Sequence, residues 1–264
     1  MNVEKVTQHI VNWLTNYVKD SHTKGFVIGI SGGIDSAVTS TLAAKTGFPV
    51  VCVEMPIHQD KTQEERGLNH IKFLEKNYSN ASSVRVDLTS VFDSFKVAVQ
   101  TSQESDLQNL AQANTRSRIR MTLLYYVAQM NNSLVLGTGN KVEDFGIGFY
   151  TKYGDGGVDL SPIADLYKTE VYALGKHLNV IEEILTAPPT DGLFGDGRTD
   201  EDQIGASYPE LEWAMKLVEE NNYDLKKFTE REAKVFDIYT RLNRINQHKM
   251  KPIPVCVIPK NLTQ

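Results

Sequence analysis

The segment GFVIGISGGIDSAVTSTLAAK, residues 25–45, joins a short apolar run to a helix-patterned run through a glycine turn. The run at 25–30 has the length and β-branched content of a buried strand, and residues 35–45 have the apolar spacing of a helix. A strand, a tight turn and a helix form the first half of a βαβ unit. The segment therefore predicts an α/β fold built on a parallel sheet.

The same alternation continues along the chain. Asp60 is placed to cap a helix, and Thr229 with Glu232 forms a capping-box pattern before a later one. We expect a doubly wound, mainly parallel, Rossmann-like sheet with helices on both faces. The further predicted strands are 49–55, 83–88 and 133–138, and the further predicted helices are 60–76, about 106–130 and 168–178.

The length of 264 residues suits a single domain. We expect an N-terminal helix, an α/β core over about 25–185, and a C-terminal lid loop with helices over about 186–264. The glycine-rich stretch 146–163 is predicted to be a loop. The stretch 187–205, rich in Gly, Pro and Asp, is long for a structureless connection, so we interpret it as a lid.

The composition excludes several classes of protein. Twenty-eight basic and 33 acidic residues give a formal charge of −5, which predicts no nucleic-acid or membrane partner. Cys52 and Cys256 form no CxxC pair, which argues against a disulfide framework or a zinc site. The N-terminal residues have no apolar stretch typical of a signal peptide or membrane span. We expect a cytoplasmic protein.

The glycine turn itself, Gly29–Ser36, has the features of an anion site. Backbone N–H groups and the positive end of the following helix dipole point to one place, where phosphate binds favourably. A lone Gly-Gly pair is as often structural, but Ser31, Asp35 and Ser36 around it favour function. No Lys ends the turn as in a Walker A loop, and the turn does not match GxGxxG.

The motif SGGxDS resembles the pyrophosphate loop of the N-type ATP pyrophosphatases, which cleave ATP between its α and β phosphates. Within that group, the chain resembles the ammonia-dependent NAD synthetase family over nearly its whole length. The resemblance is carried by NTRSRIRM (114–121), GTGNKVE (137–143), FYTKYGDGGVDLSP (149–162), LYKTE (166–170), PPTDGL (188–193), TDEDQIG (199–205) and NQHKMKP (246–252).

The resemblance implies an adenine nucleotide alpha hydrolase-like fold and an ATP-dependent amidation of deamido-NAD through an acyl adenylate. It implies Mg²⁺ held by Asp35 and Glu143, catalytic roles for Asp35 and Lys168, and a homodimer, whose contact we place on the apolar helix at Ile119–Val127. The implied ATP-binding residues are Gly29, Ile30, Ser31, Gly32, Gly33, Ile34, Asp35, Ser36, Thr138, Lys168 and Thr190. The implied deamido-NAD residues are Arg118, Lys152, Asp159, His248 and Lys249.

Other interpretations of these residues stand beside the resemblance. Arg118 belongs to a run that could be a solvated helix face, and Glu143 could stabilise a helix N-terminus. His248 and Lys249 could complement a helix dipole. A tRNA-modifying ligase of the same loop class, or a non-catalytic ATP-binding module, are alternatives; the acidic charge disfavours the first, and the pairing of Asp35 with Glu143 disfavours the second.

The nitrogen source is predicted to be free ammonia. Glutamine-dependent relatives carry an extra amidase domain, for which these residues leave no space, and we interpret both cysteines as structural. The segment before FYTKYGDGG is one residue longer than the commoner family wording and has Asn140 and Lys141 where small residues or His are frequent. The backbone around Glu143 is therefore where we expect a local departure from the family.

Overall fold

The computed structural model describes residues 1–100, 105–190, 199–221 and 223–263. Over these ranges the sheet has four parallel strands in the order β3-β2-β1-β4. The predicted doubly wound α/β class is confirmed. The strands are β1 Phe26–Gly29, β2 Val50–Glu54, β3 Ala81–Arg85 and β4 Leu134–Val135.

Helices cover both faces of this sheet. Over the described residues, the α-helices are α1 Val3–Asp20, α2 Ile34–Ala44, α3 Lys61–Asn77, α4 Thr89–Ala98, α5 Asp106–Asn131, α6 Lys168–His177, α7 Glu182–Leu185, α8 Asp200–Ile204, α9 Tyr208–Glu220, α10 Glu230–Ile245 and α11 Gln247–Met250. Short 3₁₀ turns lie at Leu225–Lys227 and Lys260–Leu262, and one π-helical turn lies at Val142–Ile147.

The apolar cores on the two faces of the sheet follow from the alternation of side chains along β1. Phe26 and Ile28 point to one face, where they pack with the apolar sides of α1, α2 and α6. Val27 points to the other face and packs with α4 and α5. All three side chains are fully buried. A strand covered on both faces is apolar at every position, which is why the run at 25–30 has no polar alternation.

The helix starts agree with the sequence. The Asp60 carboxylate accepts the N–H groups of Thr62 and Gln63 at the start of α3. Thr229 and Glu232 bond reciprocally at the start of α10, as a capping box requires. Both predicted caps are confirmed.

The predicted strand bounds were partly wrong. β3 covers Ala81–Arg85 rather than 83–88, because its pairing with β2 begins with Ala81 opposite Val50 and continues through the polar Ser82 and Ser83. An edge strand that is largely exposed needs no apolar signature. β4 is shorter than the predicted 133–138, and helix α4 was not predicted from the sequence.

The two glycine-rich stretches contain more regular structure than predicted. The π-turn Val142–Ile147 runs into the first stretch, and Val142 and Ile147 are buried against α9 and α10. In the second stretch, 187–205, α8 is a helix opened by a Thr199 capping box. Residues 191–198 of the predicted lid at 187–205 lie outside the described residues, so the lid and the division of the chain at about 186 stay predictions.

Candidate active site

The strand order places a cavity where α/β sheets commonly bind ligands. The chain runs outward from β1 to β2 and β3, and then returns to the opposite side of β1 to form β4. The loops after β1 and β4 therefore diverge at a topological switch point. The segment Gly29–Asp35, which follows from β1, and Thr138, after β4, line one cavity of about 280 Å³. Thr190 lies on its wall as well.

Two serines of the glycine turn stabilise it through hydrogen bonds. The Ser31 and Ser36 hydroxyls lie 3.1 Å apart, and Gly33 N–H donates to Ser31 Oγ at 3.2 Å. Gly33 is the N-cap of α2 and has no side-chain cap among the described residues, so the first turn of the helix directs N–H groups to the loop. The side chains of Ile30 and Ile34 are buried in the core. The loop thus offers mainly backbone donors, which suits phosphate oxygens.

A buried ion-pair cluster lies beside the turn. The Lys168 ammonium lies 2.5 Å from Asp35 Oδ2 and 3.0 Å from Glu143 Oε1. Burial of Lys168 opposes its charge, but the two carboxylates outweigh burial and raise the pKa of Lys168 above its ordinary value. Burial and Glu143 raise the pKa of Asp35 while Lys168 lowers it. The short Lys168–Asp35 contact favours the ionised pair.

Two residues that the sequence analysis missed hold this cluster. The Asn140 side chain is fully buried; its amide donates to Asp35 Oδ1 at 3.3 Å, and its carbonyl accepts the Glu143 N–H at 3.2 Å. The Tyr208 hydroxyl donates to the Glu143 carboxylate, and burial with that carboxylate raises the pKa of Tyr208. Asn140 had stood out as a departure from the family wording, whereas nothing in the sequence marked Tyr208.

The donor chemistry of the cluster suits Mg²⁺. Asp35 and Glu143 present carboxylate oxygens to one point, and the Lys168 ammonium shows that a cation fits between them. No group of three or more His, Cys, Asp and Glu side chains is arranged around a common metal position within the described ranges. Mg²⁺ is usually held by one or two carboxylates together with substrate phosphates, so a pair of carboxylates is sufficient.

The π-turn brings a further carboxylate to the cavity. Asp144 follows Glu143 and lines the same wall, where burial and the neighbouring Glu143 and Asp155 carboxylates raise the pKa of Asp144 well above its ordinary value. A Cβ at Gly139 would overlap the Asp144 carboxylate, so glycine leaves room for this carboxylate in its present position. A π-turn commonly contains one extra residue, which agrees with the departure expected around Glu143.

The glycine-rich segment after the π-turn is fixed to α5. Asp155 Oδ1 accepts the Ser117 hydroxyl at 2.6 Å and the Thr151 N–H at 3.0 Å. Thr151 also donates to Asn114 at 2.6 Å. The predicted loop therefore has a defined position, and its Asp155 contributes to the cavity wall.

Three of the residues assigned to deamido-NAD lie together. The Arg118 guanidinium donates to the backbone carbonyl of Lys152 at 3.3 Å, and the Lys152 ammonium donates to the carbonyl of His248 at 2.5 Å. This basic cluster links α5, the glycine-rich segment and α11. Within the described part of the chain, none of the three lines the 280 Å³ cavity.

The other two residues of that set have different surroundings. Lys249 donates to backbone carbonyls of the glycine-rich segment, including Tyr150 at 2.9 Å. Asp159 accepts the Val135 N–H at 2.8 Å and the Tyr125 hydroxyl at 3.0 Å. The contacts of Asp159 are therefore with β4 and α5 rather than with the basic cluster.

Residues 6–253 match the family model described as NAD synthase. The chain belongs to this family. It is 36% identical to the NH(3)-dependent NAD(+) synthetase of Carboxydothermus hydrogenoformans, over 96% of this chain and 97% of that protein. Among solved structures, NMN synthetase from Francisella tularensis is similar with a TM-score of 0.83 and 31% identity, covering 98% and 99% of the two chains. NH3-dependent NAD synthetase from Campylobacter jejuni is similar with a TM-score of 0.78 and 28% identity, covering 97% and 100%.

Membership of the NAD synthase family confirms the resemblance found in the sequence. The chain covers almost the whole length of the two NH3-dependent relatives named above. Neither of them therefore has an additional domain that this chain lacks. Because the chain belongs to the NAD synthase family, the alternative of a tRNA-modifying ligase is dropped. The structures of the relatives agree with the adenine nucleotide alpha hydrolase-like fold expected for this chain.

Proposed function

We propose that the chain is an ammonia-dependent NAD synthase, which amidates the nicotinate carboxylate of deamido-NAD at the expense of ATP and gives NAD, AMP and pyrophosphate. The full-length similarity to NH(3)-dependent NAD(+) synthetases is the observation that carries this proposal. The phosphate loop and the Asp35–Lys168–Glu143 cluster supply the chemistry that such a reaction needs. The reaction is the last step of NAD biosynthesis.

In the first half of the reaction, the substrate carboxylate attacks the α phosphorus of ATP. An O–P bond forms, the bond to the β phosphate breaks, and pyrophosphate leaves with the electron pair. The N–H groups of Gly29–Ser36 bind the phosphates, and Thr138 and Thr190, which line the same cavity, contact ATP. Lys168 stabilises the charge that builds up on the phosphate oxygens. This preorganised charge is the main catalytic device of the site.

Mg²⁺ is proposed as the cation that Asp35 and Glu143 hold when ATP is bound. The metal supplies additional positive charge to the phosphate oxygens. Asn140 and Tyr208 keep the two carboxylates in place through the hydrogen bonds described above. The arrangement therefore orients the carboxylates before nucleotide arrives.

In the second half, ammonia attacks the activated carbonyl. A C–N bond forms, AMP leaves with the electron pair of the acyl–oxygen bond, and a proton is released. Because water would hydrolyse the adenylate, the cavity has to exclude it during the reaction. Asp35 and Lys168 belong to the reacting centre, and the glycine-rich segment forms the adjoining wall.

Arg118, Lys152, Asp159, His248 and Lys249 are proposed to bind deamido-NAD. Support comes from the basic cluster that joins Arg118, Lys152 and the backbone of His248. This cluster lies outside the nucleotide cavity, where the long dinucleotide would extend. Asp159 fits this proposal least well, because its carboxylate is bound to Val135 and Tyr125.

A homodimer is proposed as the functional form. Within the predicted contact at Ile119–Val127, Ile119, Leu123 and Leu124 pack on the chain's own core and Val127 is buried, whereas Tyr126 is exposed. On the same helix, Tyr126 and Met130 are exposed by 65% and 70% and are better placed for the contact.

We propose a cytoplasmic location on the basis of the two cysteines, both of which are free thiols. Across the described residues, no helix has the length and apolar character needed to cross a membrane.

A second substrate, nicotinate mononucleotide, is favoured by one comparison. The similar structure from Francisella tularensis is an NMN synthetase, and it aligns with 98% of this chain. The chemistry at the carboxylate is identical for both substrates, so only the residues beyond the mononucleotide distinguish them.

The test is to supply deamido-NAD and nicotinate mononucleotide separately with MgATP and ammonium. We expect NAD, AMP and pyrophosphate, with a higher kcat/KM for deamido-NAD. A higher kcat/KM for the mononucleotide would reassign the substrate, and ADP as the product would reject the adenylate route.

A further inference from the structure

Arg66 on α3 lies against the phosphate loop, and neither the family resemblance nor the reaction proposed above assigns it a role. Its Nε donates to the carbonyl of Gly32 at 3.4 Å, and the residue lines the nucleotide cavity. Arg66 also lines a shallow cleft on the outside, with Thr62 and Glu183. Its guanidinium therefore belongs to the border between the phosphate loop and solvent.

The backbone packing keeps Arg66 at this position. Gly32 has a φ of +78°, and a Cβ added to it would lie 2.5 Å from Gln63 O, 3.1 Å from Gly67 N and 3.4 Å from Arg66 Cβ. The loop and α3 thus touch through their backbones. Because Arg66 Cβ lies so close to the loop, an extended Arg66 side chain is long enough to bring its guanidinium to a phosphate bound there.

The other cations of the cavity have protein partners, and Lys168 is already assigned to the phosphate oxygens at the reacting centre. Over the described residues, the cations on the cavity wall are Arg66, Arg120 and Lys168. Lys168 is bound by Asp35 and Glu143, and Arg120 donates to Met55 O at 3.0 Å and to a glutamine amide at 2.7 Å. Arg66 forms no ion pair with a described carboxylate, and its hydrogen bond to the Gly32 carbonyl is long, at 3.4 Å.

We propose that Arg66 binds the β phosphate of ATP and the pyrophosphate that leaves. This inference rests on the proposed function, because it assigns a residue to the leaving group of that reaction. When the carboxylate oxygen bonds to the α phosphorus, the bond between that phosphorus and the bridging oxygen breaks, and the electron pair stays on pyrophosphate. A guanidinium presents several N–H donors in a plane and binds such oxygens in a bidentate manner.

The experiment measures binding of inorganic pyrophosphate with MgCl₂, and separately of AMP, by calorimetry on the full chain. Neither titration contains deamido-NAD or ammonium, so the result does not depend on the identity of the acceptor. We expect Arg66→Ala to weaken pyrophosphate binding about 10- to 100-fold and to leave AMP binding unchanged. Arg66→Lys restores part of the pyrophosphate affinity, because it keeps the charge and loses the planar donor geometry.

Lys72→Ala is the matched control. Lys72 is an exposed cation on the same helix, six residues further along, which places it about 9 Å from Arg66 along the helix axis. The Lys72→Ala substitution removes one positive charge from α3, as Arg66→Ala does. We expect this variant to bind pyrophosphate and AMP as the wild type does. An equal loss of pyrophosphate affinity in Lys72→Ala would mean that only overall charge matters, which overturns the proposal.

Two further outcomes overturn the proposal. Arg66→Ala that binds pyrophosphate like the wild type shows that the guanidinium does not contact it. A parallel loss of AMP binding shows that Arg66 only supports the shape of the loop. The proposed function fails separately, if the wild type converts neither nicotinate substrate while still binding pyrophosphate through Arg66.

Discussion

The reacting centre depends at the residue level on a cation buried between two carboxylates. The Lys168 ammonium lies 2.5 Å from the Asp35 carboxylate and 3.0 Å from the Glu143 carboxylate. Removal of one member leaves the others buried without full compensation, which is costly. Substitutions here therefore alter both catalysis and the local geometry, and conservative changes are the informative ones.

Glu143→Gln keeps the size of the side chain and removes its charge. We expect kcat to fall about 100-fold or more, because Lys168 and the proposed Mg²⁺ lose a carboxylate that holds them at the phosphate oxygens, while KM for deamido-NAD changes little. The concentration of Mg²⁺ needed for half-maximal rate rises. Steady-state kinetics measures all three quantities.

Glu219→Gln is the control for this change, because Glu219 forms a surface ion pair with Lys141 at 3.3 Å. It removes the same charge outside the cavity and should leave kcat at the wild-type value. A kcat of Glu143→Gln close to that of the wild type would contradict the assignment of Glu143.

His70 gives a prediction on stability and pH. It is fully buried, its Nε2 bonds to Ser40 Oγ at 2.9 Å, and burial lowers the pKa of His70 to about 4. Its ordinary value is 6.5, so between these values the unfolded chain binds the proton and the folded chain does not. The contribution of the neutral His70 to the free energy of unfolding is fully present above about pH 6.5. It is lost as the pH falls toward 4, and the loss amounts to roughly 3 kcal/mol.

Urea unfolding between pH 7 and pH 4.5 measures this dependence. In His70→Gln, which has no titrating ring, we expect a smaller decrease in the free energy of unfolding over the same range. Equal decreases in the variant and the wild type would show that His70 does not contribute to the pH dependence.

Residue identities at the centre could be predicted where a short motif carries them. Asp35 lies within such a motif, and Glu143 and Lys168 followed from the resemblance to the family. Tyr208 could not be predicted, because its hydroxyl reaches Glu143 across 65 residues of chain through the packing of α9. A contact set by tertiary packing leaves no local pattern in the sequence.

The elements around the loop are held by close backbone contact. Gly32 and Gly47 have nearly the same φ, +78° and +79°, but a Cβ on Gly32 would meet α3, while nothing lies within 4 Å of a Cβ on Gly47. Comparing alanine substitutions at Gly32 and Gly47 therefore distinguishes the cost of backbone strain from the cost of steric overlap.

Gly47→Ala is expected to cost about 1 kcal/mol of stability, from the left-handed backbone conformation alone, with unchanged kinetics. Gly32→Ala adds an overlap with Gln63 O and Gly67 N. We expect it to cost more stability and to raise KM for ATP, because α3 and the phosphate loop must separate. Chemical denaturation and steady-state kinetics give both quantities. Equal kinetics in the two variants would contradict the close packing of loop and helix.

Elements with strong local signals agreed with the sequence, and those set by pairing did not. The apolar strands β1 and β2 and the capped helix α3 were placed within one residue, and the capping box gave the start of α10. The edge strand β3 and helix α4 lack a clear apolar period. The π-turn was foreseen only as an extra residue near Glu143, because a sequence does not show whether an insertion widens a helix or extends a loop.

The whole molecule exposes apolar side chains that a dimer would cover. Besides Tyr126 and Met130 on α5, the C-terminal segment after α11 exposes Ile253, Val255 and Val257 by 66%, 79% and 82%. Large exposed apolar surfaces commonly mark protein contacts. The basic cluster of Arg118 and Lys152 lies on the same helix and the segment beside it, so a partner there would adjoin the proposed dinucleotide site.

We predict a dimer at micromolar concentration in sedimentation velocity. Met130→Glu should shift the protein toward monomer and raise KM for deamido-NAD, with less change in KM for ATP. Tyr17→Glu on α1, which packs on the opposite face of the sheet, serves as the control. A wild-type monomer with full activity would reject the dimer.

The central claim is that the nicotinate carboxylate becomes an acyl adenylate in the cavity beside Lys168. Deamido-NAD labelled with ¹⁸O in this carboxylate tests the claim directly, with MgATP and ammonium as the other substrates. An adenylate route predicts that one labelled oxygen appears in AMP and the other stays in the amide of NAD. Label in pyrophosphate or inorganic phosphate, with none in AMP, would contradict it.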